Sequence, residues 1–198
     1  MIWTFFSFNA LLFYVLAIAP IVSFKDFDWQ AFLAGRGVWL LVIPVILFIL
    51  NGILSSNQKA TITFWRIKNP LPACRSFSVY ARIDDRVDFK KLEKNYNPLP
   101  ETAKEQNSLW YSIYKDYQEE PLVKKSHKDF LLGRDMCTIA LLFLVFGGVL
   151  GIFLIADITK WWYLIYTFFQ YIILAIVTQN HGKRFVCNVL ALETSKKS

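Results

Sequence analysis

Polar and apolar positions along this chain alternate on the scale of whole segments. Residues 2–24 and 38–54 are nearly uncharged apolar runs, a polar stretch fills 55–134, and two further apolar runs occupy 136–156 and 161–177. A bilayer core takes about 17–25 apolar residues per helix, so each run is long enough to cross one. The pattern predicts an all-α polytopic membrane protein. It has a transmembrane hairpin at 1–54, a small, mainly helical cytoplasmic domain at 55–134, a second hairpin at 135–180 and a cytoplasmic tail at 181–198.

Inside the polar stretch the punctuation is local. The β-branched and aromatic residues of 59–68 fit a short strand or a continuation of the second helix. The tetrapeptide NPLP occurs at Asn69 and again at Asn97, giving two stiff extended corners because proline fixes φ and its predecessor avoids the α region. Asp84 or Asp85 is placed to cap a helix reaching about Asn95, with Val87 and Leu92 facing inward. Thr102 and Glu105 match a capping box, and the helix they start carries Leu109, Trp110, Ile113, Tyr114 and Tyr117 on one apolar stripe. Pro121 suits the first turn of a helix running into the third apolar run, with Gly133 as the hinge at which it could bend. Beyond the fourth run, apolar residues at 185, 186, 189, 190 and 192 extend that helix and offer a face to dock on the domain.

Charge then assigns sides. Of 22 basic residues, only Lys25, Arg36 and Lys160 lie in the links at 25–37 and 157–160, against three acids there. The domain, flanks and tail hold the other nineteen and the whole net charge of +7. Basic residues near span ends stay inside, so both termini and the domain are expected on the cytoplasmic face of a cell membrane, a bacterial inner membrane by plan. Ala17-Ile18-Ala19 resembles a leader-cleavage site, but Pro20 follows it and no basic n-region precedes it, so the first run is read as a retained helix. Trp29 and Phe32 in the outer link suit a turn dipping into the interface. The three cysteines, Cys74, Cys137 and Cys187, are far apart in sequence and predict no disulfide framework. With two histidines, neither at ligand spacing, no metal or other cofactor is expected.

Chemistry is sparse. The apolar runs contain no Asp, Glu, Lys, Arg or His, which argues against a proton-coupled carrier. Gly147 and Gly151 form a GxxxG spacing for close helix packing or oligomerisation, and Gln170 is the most central polar side chain of the fourth run. Arg75, Ser76, Ser78, Arg82 and Arg86 form the one dense polar cluster. Guanidinium groups with hydroxyls suit an anionic ligand or a partner, while the interleaved aspartates suit a self-satisfied surface network. Phosphate-loop, HExxH and GxSxG signatures are missing, so no catalytic residue is assigned and an enzyme is not expected. In plan alone the chain is similar to small bacterial four-span proteins with a cytoplasmic sensor domain, some of them anti-phage effectors.

The leading expectation is a non-enzymatic membrane module controlled from its cytoplasmic domain, an oligomeric pore-forming or membrane-disrupting effector. The alternatives are a scaffold docking a soluble cytoplasmic protein and a membrane-embedded enzyme. The expected partners are the lipid bilayer and further copies of the chain. A nucleotide or nucleic acid is a candidate that no motif supports.

Overall fold

The computed structural model describes residues 1–18, 37–155 and 157–195. The outer link, with Trp29 and Phe32, and the Ala19 and Pro20 step lie outside them. Within them the chain is helical, with no strand. Helices α1 (Ile2–Ile18) and α2 (Gly37–Ile53) cover described parts of the first two apolar runs. Residues 59–68 are neither a strand nor an extension of α2: a separate helix, α3 (Ser56–Phe64), is followed by a turn at Trp65. Short 3₁₀ (Pro72–Arg75) and π (Ser76–Tyr80) turns lead into one α-turn at Ala81–Ile83. Then come α4 (Phe89–Asn95), α5 (Ala103–Tyr117) and α6 (Pro121–Leu142). A π turn (Phe143–Gly147) joins α6 to α7 (Gly148–Leu154), and α8 (Asp157–Ser195) is 39 residues long. Two stretches, Pro121–Leu154 and Ile158–Ser195, are long and apolar enough to cross a membrane.

The caps show why the domain helices start where they do. Thr102 and Glu105 make the reciprocal capping box at α5. Helix α4 is capped by Asp88, whose side chain accepts from the Lys91 N–H, and not by Asp84 or Asp85. Asp84 is held elsewhere, by Arg86.

The chain divides into two compact units, Met1–Ser56 with Asp135–Leu174, and Asn57–Arg134 with Ala175–Ser198. In the first, Phe6, Leu47, Ile139, Leu142 and Phe143 form one buried cluster, and Phe13, Ala17, Ile155 and Tyr163 another. Much of this unit's apolar surface is uncovered, Trp161, Trp162, Phe169 and Ile173 among it. In the second unit the core is built from α3, the 72–81 turns, α4, α5, the start of α6 and the end of α8. Trp110 and Ile113 of the α5 stripe are buried there, with Leu109, Tyr114 and Tyr117 packed against them.

Candidate functional site

The richest constellation of the second unit is the seat of the C-terminal end of α8. Phe185, Val186, Val189 and Leu190 recur at steps of 1, 3 and 1, so one face of the helix is apolar, and all four are buried. Trp110 donates its indole N–H to the Val186 carbonyl at 3.3 Å, which ties α5 to this ridge. Around it lies an aromatic stack: Phe185 is parallel to His127 at 4.8 Å and edge-on to Trp110 and Tyr114, and the Tyr114 hydroxyl meets His127 Nδ1 at 3.1 Å. Burial first, then the Arg134 charge, lowers the His127 pKa, so this ring is neutral at physiological pH.

Polar latches border the apolar seat. Glu193 accepts from both the Tyr96 hydroxyl (2.8 Å) and the Tyr117 hydroxyl (2.9 Å). Arg86 grips Asp84 through Nε and Nη2 at 2.9 and 2.8 Å and reaches Asn188 Oδ1 with Nη1 at 3.0 Å. Thr194 Oγ1 accepts the Asp88 backbone N–H at 3.3 Å. The hydrogen bonds from Arg86 hold the Asp84 carboxyl well below the usual carboxylate range. Burial, reinforced by Asp84, pushes the Cys187 thiol up to about 12, and burial raises Cys74 as well. Both therefore stay protonated and are poor nucleophiles. Burial and Glu193 raise Tyr96, and the same causes push Tyr117 up to about 12. A group whose folded pKa is raised stabilises the fold below its ordinary pKa, near 10 for tyrosine, and loses that contribution above it. The domain should therefore lose stability as pH rises from about 10 toward 12. Thermal melts across that range check this, and Tyr96→Phe with Tyr117→Phe should flatten the dependence.

The five residues of the predicted polar cluster do not converge on one point. Ser76 is buried and donates to the Gln106 carbonyl at 3.4 Å, while Ser78 donates through both its hydroxyl and its backbone N–H to Gln106 Oε1. Arg82 lies over the Phe89 ring at 4.6 Å, Arg75 donates to the Asn69 carbonyl at 3.5 Å, and Arg86 is engaged as above. The fork of Arg86 and the hydroxyls of Ser76 and Ser78 are thus used inside the fold. Gln106, which no sequence motif marks, organises this region. It is buried, accepts the Phe77 N–H as well, and donates Nε2 to the Glu101 carbonyl.

Gly133 lies in unbroken helix, and its missing side chain serves close packing. A Cβ there would stand 2.6 Å from Thr178 Oγ1 and 3.3 Å from its Cβ and Cγ2. A hinge at Gly133 predicts that Gly133→Ala stiffens the junction and changes any triggered activity at unchanged expression. The contact predicts instead a destabilisation of about 1–3 kcal/mol by overpacking, partly relieved by Thr178→Ala. Melting of the single and double variants checks it. In the first unit, Gly147 and Gly151 face Tyr163 of the same chain. Gln170 donates Nε2 to the Tyr166 hydroxyl one turn back at 2.7 Å, and its Oε1 is buried with no partner among the described residues.

The two NPLP corners lie on two grooves that share α5. Pro98, Leu99 and Pro100 line one of about 800 Å³ with Glu105 and Leu109, and Asn69, Pro70 and Leu71 line one of about 440 Å³ with Lys104 and Asn107. No group of three or more His, Cys, Asp or Glu side chains placed to hold a metal ion occurs among the described residues. Comparison with protein-family models, with curated proteins and with solved structures finds no match.

Proposed function

We propose that the protein is a four-span membrane module, with spans at about 2–24, 38–54, 136–156 and 161–177, whose cytoplasmic domain governs its hydrophobic helices. Both termini and the domain face the cytoplasm. The reading is that of a non-enzymatic oligomeric effector that permeabilises or disrupts the membrane, of the kind found in bacterial anti-phage defence.

The observation that carries this reading is helix continuity. Helix α6 starts in the core of the polar domain and runs unbroken past Gly133 into the third apolar run, and α8 leaves the fourth run and ends in the same core at Ser195. A rearrangement of the domain core would therefore be felt by both apolar helices. Lipid-facing exposure supports the membrane part: only 22% of the most apolar window of Ile158–Ser195 is buried, whereas a soluble core helix is mostly covered.

The test uses the full-length protein in vesicles loaded with a self-quenched dye. Glu193→Ala leaves Tyr96 and Tyr117 without their shared acceptor, costing about 2–3 kcal/mol, and loosens the end of α8. Leakage is expected to rise several-fold over wild type. Vesicles that stay tight with both proteins would contradict the effector reading, and co-purification of a soluble protein would then favour the scaffold.

A further inference from the structure

The turn that follows α3 carries an unusual set of side chains. Ile67 is 90% exposed, more than any other large apolar residue described, and its neighbour Trp65 is 53% exposed. Two basic residues, Arg66 and Lys68, alternate with them. The backbone is bracketed by two left-handed residues, Trp65 (φ 53°) and Asn69 (φ 50°). For a bulky tryptophan that region is a genuine outlier, and such strain is retained where a surrounding function demands it. Of the two cations, Lys68 is exposed and Arg66 is half-buried.

Contacts inside the second unit set the level of this turn. The Thr63 carbonyl accepts from Gln179 Nε2 at 2.8 Å, and the Phe64 ring packs on Gly182. Gln179 comes two residues after Val177, the end of the fourth apolar run, where Ile176 and Val177 are still exposed. The turn therefore stands at the first helical turns beyond an apolar surface.

We propose that Trp65–Lys68 is an interfacial anchor that inserts into the headgroup region of an anionic phospholipid membrane. Trp65 and Ile67 sit at the acyl boundary, and Arg66 and Lys68 meet lipid phosphates. Tryptophan prefers that depth, an aliphatic side chain gains by leaving water, and juxtamembrane cations are drawn to anionic lipid. The proposal rests on the membrane reading above. It goes beyond that reading by giving the cytoplasmic domain its own lipid contact, which a shift of the domain would make or break.

The experiment places a single environment-sensitive fluorophore on Ile67→Cys of the full-length protein in nanodiscs of phosphatidylcholine and phosphatidylglycerol. The three native cysteines are buried, and unsubstituted protein serves as the labelling control. Expected are blue-shifted emission and quenching by headgroup-level spin-labelled lipid. Lys68→Glu, at an exposed position, should reduce that quenching several-fold at an unchanged domain melt, and excess inorganic phosphate should leave it intact. A label at Phe169→Cys, 57% exposed in the fourth apolar run, reports insertion of that run independently of the turn. Quenching there without quenching at residue 67 overturns the anchor and spares the membrane reading. No quenching at either site overturns both. Loss of quenching with free phosphate would assign the site to a soluble anion and overturn the lipid assignment.

Discussion

Trp110→Ala is expected to cost the polar domain about 3–5 kcal/mol, the loss typical of a buried aromatic truncated to a methyl group. The residue is 5% exposed, stacks on Tyr114 at 5.5 Å, meets Phe185 edge-on at 5.1 Å and donates to the Val186 carbonyl. Truncation removes the ring area and leaves a cavity against the seat of α8. Because that seat contains the end of the helix that leaves the fourth apolar run, the variant should also free residues 185–195 to exchange amide hydrogen. Hydrogen exchange read by mass spectrometry, with a thermal melt alongside, checks both parts. Trp110→Phe should recover most of the stability and lose only the indole bond. A Trp110→Ala protein with wild-type melting and protection would mean that α5 does not hold this helix.

The second large effect is expected at the glycine seam of the first unit. A Cβ added at Gly147 would run into the hydroxyl of Tyr163, which is 3% exposed and lies 3.5 Å from the Phe143 carbonyl. Gly147→Leu should therefore separate the third and fourth apolar helices, since lipid does not replace packing lost at a close-contact seam. Gly147→Ala should cost about 1–3 kcal/mol by overpacking, and Tyr163→Phe on that background should restore much of it by removing the atom that the methyl meets. Gly151 is more tolerant, because a Cβ there meets Ile155 Cδ1 at 3.2 Å and Tyr163 Cδ1 at 3.6 Å. Melting in detergent orders the variants. Equal tolerance at 147 and 151 would contradict the seam.

How much of this could be read from the sequence follows from the range of each interaction. The capping box at Thr102 is complete within four residues, so it was visible, as was the α5 stripe with its 3.6-residue period. The stripe at 185–190 was visible for the same reason and lies in the core. The cap of α4 was misplaced because Asp84, Asp85 and Asp88 are chemically equivalent in sequence. Asp84 is taken by Arg86, which in turn reaches Asn188, a hundred residues away, and neither contact is visible in the local sequence. At Gly133 the continuous helix could be expected from the sequence, whereas the close approach of Thr178, forty-five residues away, could not, because it is created only when the two helices cross. Gln106 and Glu193 were illegible for a related reason. A buried amide or carboxylate is revealed by its partners, and those at 77, 78, 96 and 117 are assembled only by folding.

The proposed arrangement of the domain and spans across a membrane is tested most directly by labelling single cysteines in intact cells with a membrane-impermeant thiol reagent. A useful domain position is Gln118, which is exposed, whereas Gln106 is buried and would report on its own burial. The account predicts that Gln30→Cys, in the outer link, reacts in intact cells, and that Gln118→Cys reacts only after the membrane is opened. Reaction at residue 118 in intact cells, with none at residue 30, would contradict it.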